Sequence, residues 1–335
     1  MPPWRGSGTL TGVTGPRSAV VVNPVKVPDM DLLRRTICEG LADAGWPEPQ
    51  WFETTPEDPG RGQAEQAVAQ GAELVFACGG DGTVMAVVTA LTGTDVAMAV
   101  LPAGTGNLLA ANLGLATDAA TGVQVALEGG RKRIDVGTVE DLSFAVMAGM
   151  GFDAQMLDAT SETAKKRIGW LAYVGGGIKA LRERPMRVRV ILDGGSPMPR
   201  RPRAVIVGNV GRLQGGLRLI EEAKPDDGRL DVAILSPRTL GHWLQLGWAV
   251  VRRRKRVPRM ETYTAERVEI HSNRAQPRQL DGDLIEPGKT MKIHIKHRAL
   301  LLCVPRPASD PDLAYDASAA ERHAEGVRAA AEESE

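Results

Sequence analysis

Apolar positions in the first third of the chain come in short unbroken runs, each followed by a stretch with helical periodicity. The runs "SAVVVNP" (18–24), "PQWFETT" (49–55), "AELVFACGG" (72–80) and "VAMAVLPAG" (96–104) read as strands. Between them, "DMDLLRRTICEGLADAG" (29–45), "GQAEQAVAQGA" (62–72) and "TVMAVVTALTG" (83–93) repeat apolar residues at helical spacing. Asp29 or Asp31 offers a cap at the start of the first helix and Gly45 a stop. Helical "GNLLAANLG" and "TDAATGVQVALEGG" follow. Strands apolar on both faces, alternating with helices, predict a parallel sheet covered on both sides.

From about residue 138 the pattern changes. "LSFAVMAGMGFDA", "MRVRVILDG", "RPRAVIVGNVG", "GRLDVAILSP", "AERVEIHS", "RQLDGDLIEPG" and "MKIHIKHRALLLCVP" are strand-like segments joined by Gly, Pro, Asp and Asn turns, several alternating with period two. Helices are expected near 165–184 and 240–254. The reading is a two-domain α/β protein. An N-terminal parallel α/β nucleotide-binding domain (18–137) precedes a mainly antiparallel β-sandwich-like domain (138–298). Residues 299–307, apolar throughout in "ALLLCVP", are expected to return to the first domain. A leader (1–17) and an acidic, low-complexity tail (308–335) flank the two.

Composition narrows the function. Lys+Arg and Asp+Glu are both 41 in 335 residues, so no nucleic-acid partner is indicated. The knot "RRRKR" (252–256) is the local exception. Cys38, Cys78 and Cys303 are far apart in apolar contexts, which suits buried thiols in a reducing compartment and offers no metal-ligand spacing. No stretch reaches about 18 apolar residues, and the leader lacks an apolar signal-peptide core. A cytoplasmic protein is expected.

Two stretches carry candidate chemistry. "GGDGT" (79–83) follows a buried strand and opens a helix whose first amides are unpaired; glycines there let a phosphate approach the backbone. The alternative is a strand-to-helix turn with Asp81 as a cap. "LPAGTGNLLA" (101–110) repeats the arrangement at the next strand end. Ligands of open α/β sheets sit outside the carboxyl ends of the strands, where two such turns converge. "GTGNLL" breaks the dinucleotide fingerprint G-x-G-x-x-G and disfavours a Rossmann dehydrogenase. "LDGD" (280–283) and "PDDG" (225–228) taken alone are turn sequences.

In order along the chain, "NP" (23–24), "GGDGT", "LPAGTGNLLA", "IDVG" (134–137), "VGNVGRLQGGLRLIEEAKPDDGRLDVAIL" (207–235) and "QLDGDLIEPG" (279–288) resemble the diacylglycerol kinase catalytic domain family, in particular its soluble bacterial lipid kinases. The resemblance implies ATP and Mg2+ as cofactors and an active site in the cleft between the domains. It implies ATP contacts from Asn23, Pro24, Thr54 or Thr55, Gly79, Gly80, Asp81, Gly82, Thr83, Gly104, Thr105 and Asn107. Asp281 would take the proton from a lipid hydroxyl and Asp283 assist, with Asp81 and Asp135 in an aspartate, water and magnesium network. Asp227 with the carbonyls of Lys224 and Arg229 would hold a structural magnesium. Phosphoryl transfer depends on in-line positioning and on neutralising triphosphate charge, which suits these parts.

Three departures stand out. Family members often carry Ser-Gly after "NP"; this chain reads "NPVKVPD", where Lys26 is either a replacement charge or a solvated side chain. Met85 and Ala86 occupy positions where many members have Asn-Glu. The acidic motif is DGD where DGE is usual. The partner expected is a membrane lipid substrate, diacylglycerol or a related lipid, met through transient contact with the membrane surface. Residues 239–256, with Trp243, Leu244, Leu246 and Val250 at helical spacings before five basic residues, form either a docking helix or a core helix. Residues 167–181 either line an acyl groove or pack closely. A homodimer is what the resemblance implies. The rival functions are an NAD-kinase-like enzyme, which shares GGDGT, and a catalytically inactive nucleotide- or lipid-binding regulator.

Overall fold

The computed structural model describes residues 15–103, 107–115, 118–151, 185–210, 224–239, 241, 242, 245 and 259–306. Four strands open the fold: β1 (Ser18–Val22), β2 (Gln50–Glu53), β3 (Leu74–Gly79) and β4 (Ala97–Pro102). They lie parallel in the order β4-β3-β1-β2. Alternate side chains of these strands feed two different cores, which is why the runs are apolar throughout. Val20, Val22 and Phe76 meet Leu33, Ile37 and Leu41 of α1 (Met30–Asp43) and Val123 and Ala126 of α5 (Ala119–Glu128). Ala19, Val21, Val75 and Ala77 face the other way. They pack on Ala64 and Ala67 of α2 (Arg61–Ala69), Val84 and Val87 of α3 (Asp81–Leu91), and Leu109 of α4 (Leu108–Leu113). Of the two aspartates offered as caps for α1, Asp29 is the one used: its Oδ1 accepts from Leu32 N–H at 2.8 Å.

The second lobe is built from β5 (Gly130–Val139), β6 (Leu142–Phe144), β7 (Met147–Met150), β8 (Val188–Leu192), β9 (Met198–Arg200), β10 (Ala204–Gly208), β11 (Leu230–Leu235), β12 (Met260–Ala265), β13 (Arg267–Leu280) and β14 (Asp283–Val304). Every pairing among these strands is antiparallel. Its core gathers Phe144, Val190, Val207, Val232, Ile270 and Ile293, one from each of six strands.

One strand joins the lobes. β14 starts as the partner of β13 and ends parallel to β4, with Leu301 opposite Ala97. A single sheet therefore runs β12-β11-β10-β7-β13-β14-β4-β3-β1-β2. β5 follows β14 across the junction, so residues 137 and 138 both lie inside that strand. Between the pairs Lys296–Val136 and Leu300–Ile134 the register shifts, and Arg298 takes φ +50° in the bulge.

Among the described residues no helix is long and apolar enough to cross a membrane. The helices expected near 165–184 and 240–254, Gly104, Thr105 and the 308–335 tail lie outside the described residues, or nearly so. The three cysteines are free, Cys78 and Cys303 buried and Cys38 partly so.

Candidate active site

The chain runs outward from β1 to β2, then returns to place β3 and β4 on the other side of β1. The order therefore reverses between β1 and β3, the position where open α/β sheets hold ligands. Asn23 follows β1, and its N–H donates to Cys78 O at 2.9 Å, beside Gly79. Its Oδ1 accepts from Val25 N–H at 3.1 Å, wrapping the chain around Pro24. Thr54 N–H donates to Val22 O at 2.9 Å, and Ala103 N–H to Gly79 O at 3.2 Å. The ends of all four strands are thus level. Thr55 turns away into a local loop, its Oγ1 accepting from Asp58 N–H at 3.1 Å.

Within GGDGT each residue has a distinct part. A Cβ on Gly79 would stand 2.6 Å from Thr83, so only glycine lets the loop close onto that buried threonine. Gly80 is the N-cap of α3 and gives no side-chain cap, so the helix presents bare amides at the strand end. Asp81 does not cap its own helix, contrary to the turn reading. Its Oδ1 accepts from Leu108 N–H at 2.6 Å and ties GGDGT to the "PAGTGN" turn. In that turn Asn107 caps α4 through Oδ1, which accepts from Ala110 N–H at 2.9 Å. Its Nδ2 is buried with no hydrogen-bond partner among the described residues. A buried donor beside a bare helix start fits an acceptor-rich triphosphate.

The acidic motif forms the two-residue turn between β13 and β14, with Leu280 opposite Asp283. Asp281 and Gly282 have φ of +48° and +98°, the signature of a type I′ turn, which Asp-Gly favours. The turn geometry aims Asp281 inward, where it is 6% exposed. Its Oδ2 accepts from Ala145 N–H at 2.8 Å, and its Oδ1 from Val146 and Met147 N–H at 2.9 and 2.7 Å. Burial pushes its carboxyl up to about 6, against the pull of those three amides; the neighbouring Asp283 charge adds to the rise. Asp283 Oδ2 lies 3.2 Å from the position a Cβ on Gly82 would take. The acidic turn of one lobe therefore touches the phosphate-loop candidate of the other.

Asp135 is fully buried and sits at the β14 bulge. Its Oδ1 accepts from Arg298 N–H at 2.6 Å and pairs with His297 Nδ1 at 2.9 Å. Its Oδ2 accepts from Gly228 N–H at 2.6 Å, and its own N–H donates to Pro225 O. Burial raises its carboxyl, opposed by those backbone donors and His297. In this structure Asp135 thus binds the "PDDG" turn to the lobe junction. Lys132 adds a 2.9 Å ion pair to Asp226. The link to Asp281 is Asn209, which is fully buried. Its Nδ2 donates to Asp135 O at 2.7 Å and Ala145 O at 2.9 Å, one peptide from the Asp281 cradle.

For a structural magnesium, Asp227 offers a carboxylate whose Oδ1 accepts from Arg229 N–H at 2.9 Å, making a tight turn. With the carbonyls of Lys224 and Arg229 the donors would all be hard oxygens, a set that fits Mg2+. Among the described residues no group of three or more His, Cys, Asp or Glu side chains is placed to hold a metal by itself.

The diacylglycerol kinase catalytic domain model matches residues 17–139, and the YegS C-terminal NAD kinase beta sandwich-like domain model matches residues 146–302. Together they take in most of the chain. It belongs to the diacylglycerol kinase catalytic domain family. A Pseudomonas putida relative named "Probable lipid kinase YegS-like" is 31% identical over 286 residues, 84% of this chain and 92% of the relative. A Mycobacterium tuberculosis protein named "Diacylglycerol kinase" is 30% identical over 174 residues, 50% of this chain. This chain spans about half the length of that protein, 56%, and 42% of a Synechocystis relative. The fold matches the crystal structure of a "putative diacylglycerol kinase" from Bacillus anthracis at a TM-score of 0.69, with 19% identity, over 87% of this chain and 98% of that one.

Met85 and Ala86, the positions after GGDGT where the resemblance leads to Asn-Glu, have different surroundings here. Met85 packs against the core of the second lobe, and Ala86 is 7% exposed. Met85 thus belongs to an apolar contact between the lobes. Sequence reasoning missed Asn209 and the amide cradle of residues 145–147. Asn209 stood in view in "VGNVG"; backbone amides leave no side-chain signal.

Proposed function

We propose that the protein is an ATP-dependent lipid kinase, transferring the γ-phosphate of ATP to a lipid hydroxyl of the diacylglycerol class. The observation that carries this reading is the approach of Asp283 Oδ2 to Gly82, which brings the acidic turn against the phosphate loop. The α3 amides and Asn107 Nδ2 would bind phosphate oxygens. Asp281 Oδ2, with one amide donor where Oδ1 has two, is the oxygen with acceptor capacity left to take the hydroxyl proton. The freed alkoxide attacks the γ-phosphorus, and the bond from that phosphorus to the β–γ bridging oxygen breaks, releasing ADP. Mg2+, when bound, would neutralise triphosphate charge. Asp81 holds the two glycine-rich turns together, and the resemblance adds a metal-network role for it and for Asp135. The YegS-like and diacylglycerol kinase relatives support lipid over NAD as acceptor.

The test is transfer of label from γ-labelled ATP in a panel of diacylglycerol, phosphatidylglycerol, sphingoid base and polyprenol in mixed micelles, with NAD as a soluble competitor. Label on a lipid, lost in Asp281→Asn while ATP binding persists, is expected. Label on NAD alone, or on nothing while ATP still binds, would sink the proposal.

A further inference from the structure

Away from the acidic turn, the second lobe has a cavity of about 850 Å³ to which, among the described residues, six arginines and one carboxylate contribute. Arg187, just before β8, and Arg189 within it are exposed, while Val188 and Val190 between and beside them enter the core. Arg200 comes from β9, Arg201 follows it, Arg238 lies shortly after β11, and Arg259 directly precedes β12. The carboxylate, Glu261, is already engaged: Arg200 Nε donates to both its oxygens at 3.1 and 2.9 Å. Tyr263 Oη donates to it at 2.7 Å. Among the described residues no ion pair or hydrogen bond engages the guanidinium groups of Arg187, Arg189, Arg201, Arg238 or Arg259, although Arg238 N–H donates to His242 Nδ1 at 3.2 Å. Solvated arginines are common singly. Five around one concavity, with their one acidic neighbour neutralised, create a positive potential that calls for a counter-charge. Guanidinium forks match the oxygens of phosphate in pairs, as ammonium groups do not.

We propose that this cavity is a second anion site, separate from the nucleotide cleft, which binds a phosphate group. The same chemistry is offered by an anionic phospholipid headgroup and by phosphate in solution. Binding is measured on the full chain without ATP, so the result stands apart from the kinase reading. One arm uses sedimentation with vesicles of phosphatidylcholine, alone or with a fifth of phosphatidic acid or phosphatidylglycerol. The other uses calorimetry with inorganic pyrophosphate. The test variant is Arg187→Gln/Arg189→Gln/Arg201→Gln. The equal-charge control is Arg17→Gln/Arg35→Gln/Lys296→Gln, exposed cations on other elements. A basic residue near an anionic surface is worth roughly a factor of five, so the test variant should weaken binding on the order of 100-fold while the control keeps most of it. Loss in the vesicle arm alone assigns the site to a lipid headgroup; loss in the pyrophosphate arm assigns it to soluble phosphate. Unchanged binding in both arms, no binding by the wild type, or equal loss in the control would overturn the proposal.

Discussion

Asp281 and Met147 exchange two hydrogen bonds: Asp281 N–H donates to Met147 O at 2.8 Å, and Met147 N–H donates to Asp281 Oδ1 at 2.7 Å. The pair locks the acidic turn to the segment that supplies two further amides. Because burial raises the Asp281 carboxyl to about 6, a general base here is mostly ionised at neutral pH and protonated below. The acid limb of kcat/KM for lipid should therefore rise through about pH 6 and level off above it. A limb centred near 4 would remove Asp281 as the base. Asp281→Asn should lower kcat by about 10²–10⁴.

The same raised value has a consequence for stability with a definite sign. A carboxyl that ionises at about 6 when folded and at its ordinary value of about 3.9 when unfolded favours the folded state while protonated. That contribution is complete below about pH 4 and is lost as pH rises through about 6. Relative to Asp281→Asn, whose side chain does not titrate, the wild type should lose roughly 3 kcal/mol between pH 4 and 8. Denaturant midpoints of the two proteins across that range measure the difference. A constant difference would show that the cradle fully offsets the burial.

Gly82 lies close to Asp283 where the lobes meet at the acidic turn. A Cβ there would lie 3.2 Å from Asp283 Oδ2, so the carboxylate must move by a few tenths of an ångström. Alanine also favours the helix start by about 1 kcal/mol over glycine. Gly82→Ala should leave the melting temperature unchanged or higher while kcat falls about tenfold through misplacement. Equal loss of stability and activity would mean that the contact is structural only.

Much of the fold could be read from the sequence because its strands and helices follow simple periodicities. The strand-end position of GGDGT followed from the alternation of apolar runs, and the Asp-Gly pair announced its own turn. What was not legible depends on contacts distant in sequence. Asp135 accepts from Arg298, 163 residues away, and from Gly228, 93 away. Asp81 serves Leu108, 27 residues on, where a local reading made it a cap of its own helix. The register shift between Lys296 and Leu300, where β5 follows β14 across the lobe junction, was also hidden, because no residue pattern marks a bulge of this kind.

The Asp135 junction should be chiefly structural in its energetics. Asp135→Ala would leave Arg298 and Gly228 N–H without their charged acceptor in a buried site, at a cost of about 3–5 kcal/mol. Asp135→Asn keeps one acceptor oxygen and should cost less. If both variants unfold at the wild-type denaturant midpoint yet lose activity, the residue acts directly on the reacting groups.

Met85 and Ala86 give the sharpest test of how this chain departs from its relatives. If the positions faced the nucleotide, restoring the family's pair with Met85→Asn/Ala86→Glu would add polar contacts and tighten ATP binding. The structure places Met85 against the second-lobe core, and Ala86 at 7% exposure. Asparagine there loses apolar packing, and a buried glutamate lacks a partner, so the double variant should lose about 3–5 kcal/mol of stability. ATP affinity should not improve. Denaturation midpoints and ATP titrations on the same preparation separate the two cases, and tighter nucleotide binding at unchanged stability would return these positions to the nucleotide site.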